Sequence, residues 1–246
     1  YSRAAAMLTR PLEQIMSPIE AVFIPVFSRL QTEPERFRRK FLEIYETIAL
    51  ASFLFTGMFF ALAHPLTLVL LGPKWENAAV IFACFSFAAL AYPLGSCASW
   101  LLTSQGRGRD SLVAASIVSV IIAASFIVGL PFGPTGVALA YSVSALLLQL
   151  PIYYWLVGRK GPVRTSDLWT AFLRQLPVWG VVALVTWLVR LPIQDDQALK
   201  ELLLATPASL LAGAAFIFVY PPSRRVAANL FSNLRDMRHP NQSPDS

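Results

Sequence analysis

Residues 111–158 contain no charged side chain, and the run is broken only by the turn Gly133-Pro134-Thr135-Gly136. A hydrocarbon core about 30 Å thick takes roughly 20 apolar residues per helix. The stretches 112–132 and 137–157 therefore each fit one crossing, joined by a tight hairpin. Further charge-poor runs lie at 44–71, 78–103, 176–189 and 202–220 and read as spans on the same grounds. The segment 1–30 is less clean, holding Arg3, Arg10, Glu13 and Glu20, yet it is long enough as a helix to cross a bilayer. The pattern predicts an all-α polytopic membrane helix bundle with about seven transmembrane helices. The run at 176–189 is short, and Arg174 and Arg190 at its ends are expected to snorkel toward head groups.

The loops supply an independent test, because cytoplasmic loops are enriched in Lys and Arg. Basic loops with Arg29, Arg36, Arg38, Arg39 and Lys40, with Arg107 and Arg109, with Arg159, Lys160 and Arg164, and with Arg224 and Arg225 alternate with loops that are nearly neutral or mixed in charge. This alternation predicts a cytoplasmic C-terminus and supports a first span within 1–30. Segments 166–176 and 226–237 mix apolar and charged residues and are expected to lie as interfacial helices. Residues 241–246 are expected to be disordered. The chain begins at Tyr1 with no Met and no signal-peptide pattern, and reads as a fragment that starts inside a larger protein.

Composition agrees. The chain is 56% hydrophobic and 14% charged, with a mean hydropathy of +0.57, whereas a soluble domain carries about a quarter charged residues. The net charge of +6 is spread between apolar runs rather than gathered on one segment, which argues against a nucleic-acid partner and for membrane lipids. Cys84 and Cys97 share one apolar run and fall on opposite sides of a helix, so neither a disulfide nor a metal site is expected from them. His64 has no ligand-spaced partner and reads as interfacial, and Trp75, Trp100 and Tyr220 read as an aromatic belt.

Candidate chemistry lies in polar residues inside the apolar runs, which are functional candidates by default. On a helix Arg3 and Arg10 fall within about 20° of each other, with Gln14, Ser17 and Ser28 on the same side. Facing a cavity, two guanidiniums suit phosphate oxygens. Snorkelling to the interface with pairing to Glu13 and Glu20 is the competing reading, and both stand at this level. Ser142, Gln149 and Tyr153 form a second stripe, and Ser96, Ser99 and Thr103 a third. For the serines, close helix packing is the simpler role, which leaves Gln149 as the better pathway residue. Prolines recur at 18, 25, 65, 93, 151, 177 and 207, a pattern of broken helices that suits a bundle opening a cavity. There is no nucleophile-base set, no metal motif and no phosphate-binding loop, so neither an enzyme nor a cofactor is expected.

Four stretches carry a family resemblance. Tyr1-Ser2-Arg3-Ala4 with Pro11-Leu12, Ser17-Pro18, Ile24-Pro25 and Phe27-Ser28-Arg29-Leu30-Gln31 is the first. Leu71-Gly72-Pro73-Lys74-Trp75, then Trp100-Leu101-Leu102 with Ser104-Gln105-Gly106-Arg107, then Gly133-Pro134-Thr135-Gly136-Val137-Ala138 with Ala140-Tyr141, are the others. Together they resemble the second lobe of polysaccharide exporters of the oligosaccharide flippase type, in the multidrug/oligosaccharidyl-lipid/polysaccharide superfamily, and most nearly its colanic-acid exporter-like members.

The resemblance implies residues 1–160 as a C-terminal flippase lobe, 161–174 as a cytoplasmic interfacial linker, 175–220 as a terminal transmembrane pair and 221–246 as a cytoplasmic tail. It also implies a first lobe of the same protein facing this one across a cavity. The implied activity is export of undecaprenyl-pyrophosphate-linked oligosaccharide across the bacterial inner membrane for lipopolysaccharide or exopolysaccharide. Arg3 matches a cavity arginine of the related lipid II flippase, thought there to contact pyrophosphate. The acid found three residues later in that relative falls here on Ala6, so no coupling-ion role is carried over, and Arg10 has no secure counterpart. The expected substrate-binding residues are Arg3, Arg10, Gln14 and Gln149. The competing readings are a multidrug cation antiporter and a membrane enzyme of polysaccharide assembly.

Overall fold

The computed structural model describes residues 2–192 and 198–238, with side chains described for residues 14, 17–192 and 198–230. Among these residues the chain is helical with no strand. The helices in chain order are α1 (Ser2–Arg29), α2 (Pro34–Ala61), α3 (Ala63–Leu71), α4 (Ala78–Ser104), α5 (Gly108–Gly129), α6 (Gly133–Ser144), α7 (Leu150–Arg159), α8 (Thr165–Arg190), α9 (Ala198–Val219) and α10 (Pro221–Arg238). Five helical stretches are long and apolar enough to cross a membrane: Pro34–Ala61, Ala78–Ser104, Gly108–Arg159, Thr165–Arg190 and Ala198–Val219. The third is a continuous 52-residue run that doubles back at Leu130–Phe132, so α5 lies antiparallel against α6. Glycine makes this hairpin possible. A Cβ on Gly129 would land 2.5 Å from Val137 Cα.

Contacts between loops sort them into two ends. At one end Arg38 pairs with Asp167, and Arg107 reaches the carbonyls of α7. At the other, Arg190 bonds Glu201 and the Ala61 carbonyl, and His64 faces Glu76 at 3.6 Å. The basic loops at 29–40, 105–110, 159–164 and 220–225 all belong to the first end. The charge alternation along the sequence is thus a real segregation in space, as expected for helices that cross and return.

The core at the basic end is aromatic. Phe27, Phe41, Tyr45, Phe53 and Tyr154 are fully buried. Phe23 and Phe27 stack at 4.2 Å, Phe23 meets Trp100 at 5.5 Å, and Tyr154 meets Trp169 edge-on at 5.1 Å. Trp100 is therefore a core residue, only 5% exposed, rather than part of an interfacial belt. The outward faces of α5 and α9 are apolar, with Leu112, Val120, Ile127, Leu203, Leu211 and Val219 all more than half exposed. Such a surface suits lipid, because water penalises contiguous apolar area.

Two expectations about local structure are corrected. Residues 166–176 are not a separate interfacial helix but the first turns of α8, which runs unbroken from Thr165 and buries Leu168, Ala171, Gln175 and Val178 on one stripe. Arg190 does not snorkel. It is bound by Glu201, itself 3% exposed, and by the Ala61 carbonyl. That carbonyl is the one left without a helical partner because Pro65, four residues on, has no N–H. Segment 226–237 falls within α10, while 241–246 lie outside the described residues.

Candidate functional site

Between α1, α4, α5, α6 and α7 lies a cleft of about 340 Å³ whose walls include Glu20, Ser96, Ser99, Thr103, Gln149 and Tyr153. It is open because one face of α4 is built from small residues. Ala88, Ala91, Gly95, Ser99 and Thr103 follow each other at three or four residues, the spacing that puts side chains on one side of a helix. Gly95 faces the Tyr153 ring, which a Cβ there would meet at an ordinary contact distance of 3.7 Å. Gln149 and Tyr153 of the second polar stripe thus face the third stripe across a single cavity.

Gln149 reaches the cleft through a break in helical register. Residues Ala145–Gln149 form a π-helical turn, in which the Leu150 N–H donates to the Ala145 carbonyl. Pro151 follows immediately and cannot donate to the Leu147 carbonyl four residues before it, a condition that a wider turn relieves. The turn rotates everything beyond it by about 100° relative to a regular helix. Ser142 and Gln149, seven residues apart, therefore do not share a face. Ser142 is 1% exposed, and its hydroxyl has no hydrogen-bond partner among the described residues, whereas Gln149 is half-buried on the cleft wall. Gln149 Nε2 donates to Ser144 Oγ at 3.1 Å, and Ser144 Oγ donates to the Tyr141 carbonyl at 2.8 Å.

The cleft is rich in acceptors. Ser96 Oγ donates to the Tyr92 carbonyl at 2.9 Å and Thr103 Oγ1 to the Ser99 carbonyl at 3.1 Å. Each hydroxyl proton is spent on its own helix and each oxygen keeps lone pairs for a ligand. The Gln149 carbonyl oxygen and the Glu20 carboxylate add to this set. Such walls match ligands that present many O–H or N–H donors.

The remaining candidates divide. Gln14 is exposed on α1 and is not on the cleft wall. The backbones of Arg3 and Arg10 lie in α1, but their side chains lie outside the described residues. Glu20 was legible in the sequence only as an ion-pair partner. Its place on the cleft follows from Phe23 and Phe27, three and seven residues on, which seat that face of α1 against α4.

The sequence motifs outside the cleft have structural work. Gly106 sits at φ +68, a backbone that favours glycine. It turns the chain so that Arg107 Nη2 donates to the Leu156 carbonyl at 2.5 Å and Nη1 to those of Lys160 at 2.5 Å and Val157 at 3.2 Å. These are the orphan carbonyls at the end of α7, where a guanidinium also complements the helix dipole. Arg107 Nε holds Asp110 at 2.9 Å and lowers its pKa. Nearby, Arg38 forks onto Asp167 at 2.9 and 2.7 Å. These bonds, together with one from the Arg164 backbone N–H at 3.0 Å, hold the Asp167 carboxyl below the usual carboxylate range.

Residues 1–80 match the family described as polysaccharide biosynthesis protein, which supports a polysaccharide exporter-like family. The match covers α1, α2, α3 and the start of α4. No curated protein and no solved structure matches the chain.

Proposed function

We propose, on the premise of a polysaccharide exporter-like family, that this chain is one lobe of a transporter that moves undecaprenyl-pyrophosphate-linked oligosaccharide across the bacterial inner membrane. It would act as a carrier rather than an enzyme, with the C-terminus in the cytoplasm. The observation that supports this reading is the cleft, a cavity inside a lipid-facing bundle whose walls carry hydroxyls, an amide and a carboxylate as acceptors. Sugar hydroxyls are the donors that such walls accommodate. Gln149 and the oxygens of Ser96 and Thr103 bind the glycan in this account, and Arg3 with Arg10 on α1 neutralise the pyrophosphate. Gln14, exposed on α1, is open to contact from the other lobe of the same protein in this account. The prenyl tail stays in lipid, and rocking of the two lobes exposes the cavity to either side in turn.

The test is deletion of the gene followed by mass spectrometry of extracted lipids. Complete lipid-linked repeat units accumulate while surface polysaccharide falls if the reading holds; an unchanged lipid pool with normal surface glycan overturns it. One observation favours a cation-coupled antiporter instead, namely Glu20 on the cleft wall. In that case Glu20→Gln abolishes coupled drug efflux, and deletion of the gene leaves surface glycan unchanged.

A further inference from the structure

Away from the cleft, at the basic end, a second cavity of about 170 Å³ lies where α2, α8 and α10 meet, lined by Glu46, Arg174, Gln175, Pro221, Pro222 and Arg225. Its charges are of both signs, and Arg174 and Glu46 form a long ion pair across it. Arg174 Nη1 stands 3.7 Å from Glu46 Oε1, too far for a hydrogen bond. Gln175 is 1% exposed and its amide oxygen accepts from Ser223 Oγ at 2.9 Å, which orients the amide and leaves its N–H donors to the cavity. On the opposite side of the same turn of α8, Leu173 and Leu176 are 57% and 47% exposed, an apolar surface that suits lipid.

We propose that this cavity seats the head group of a phospholipid bearing a phosphate and a primary ammonium, the phosphoethanolamine type. The phosphate accepts from Arg225, Arg174 and the Gln175 amide, since guanidinium forks match phosphate oxygens. The ammonium donates to Glu46. The acyl chains leave the mouth of the cavity for the surrounding membrane. A head group with phosphate alone leaves the Glu46 carboxylate facing added negative charge. One with a quaternary ammonium has no N–H for Glu46. Basic pockets between helices at a membrane surface are known sites for lipid head groups, and the carboxylate selects among them here.

The experiment is native mass spectrometry of the purified protein from detergent carrying equal amounts of phosphatidylethanolamine, phosphatidylcholine and phosphatidylglycerol. Phosphatidylethanolamine is retained preferentially, and Glu46→Gln removes its advantage over phosphatidylcholine. Arg225→Gln weakens retention by roughly tenfold, the loss of one charge-assisted contact. Soluble phosphoethanolamine at the same concentration does not compete. Equal retention of the three lipids, preference for phosphatidylglycerol, or an unchanged preference in Glu46→Gln overturns the proposal. Full competition by soluble phosphoethanolamine overturns the assignment to a lipid. None of these outcomes depends on transport, so the site stands or falls apart from the proposed activity.

Discussion

Gln149 donates a hydrogen bond to Ser144, five residues back on the same chain, and the π-helical turn between them is what brings the two side chains together. In a regular helix the i and i+5 positions diverge by about 140°. The cleft thus owes one of its polar groups to a register break set by Pro151.

Pro151→Ala permits the regular bonding pattern across 145–151 and swings Gln149 off the cleft. Export falls while the protein level holds or rises, since alanine favours helix over proline. Gln149→Ala gives the same export defect, roughly tenfold for one lost ligand contact. Export assayed in parallel with membrane protein content checks both, and normal export in both variants removes Gln149 from the binding site.

Arg107→Ala leaves the carbonyls of Leu156, Val157 and Lys160 without their guanidinium. Loss of hydrogen bonds to a charged group costs about 1.5–3 kcal/mol. Arg107→Lys recovers little, because an ammonium cannot fork to carbonyls spread along a helix end. Thermal unfolding of the three proteins in detergent measures the order wild type, Lys, Ala.

Arg190→Leu strands Glu201, buried at 3% exposure, and frees the Ala61 carbonyl again. Breaking a buried pair from one side costs about 3–5 kcal/mol. The double variant Arg190→Leu with Glu201→Leu recovers most of that loss, because no charge is then left without a partner. A double-mutant cycle on unfolding temperature reads the coupling.

The Arg38 and Asp167 pair predicts a dependence on acid. Asp167 has a lowered pKa in the fold, chiefly because Arg38 donates to it, so its contribution is full above the unfolded value of about 3.9. It is lost as pH falls through the lower folded value. Arg38→Gln flattens the stability profile below about pH 4 and leaves the neutral-pH profile parallel to wild type, as unfolding scans across that range will show.

The existence of the hairpin and the segregation of basic loops were legible in the sequence, because charge and glycine mark ends in a chain whose interior is uniformly apolar, but the chain reverses at Leu130–Phe132 and Gly133-Pro134-Thr135-Gly136 form the first turn of α6. Inside the runs the same uniformity hides register. Nothing in Ala145–Gln149 signals a π turn except the proline after it, so Ser142 was placed beside Gln149 by a 3.6-residue period that does not hold there. Trp100 and Arg190 were assigned to interfaces from their position near span ends, while their partners, Phe23 and Glu201, are distant in sequence or across a loop.

The most direct measurement of the central claim reconstitutes the purified full-length protein into vesicles containing lipid-linked oligosaccharide in both leaflets and adds a membrane-impermeant lectin outside. Capture of the glycan from both leaflets, with the inner pool reached about tenfold more slowly in the Gln149→Ala protein and not at all in empty vesicles, is the predicted result. Capture limited to the outer pool with the wild-type protein, verified as folded and inserted, contradicts the account.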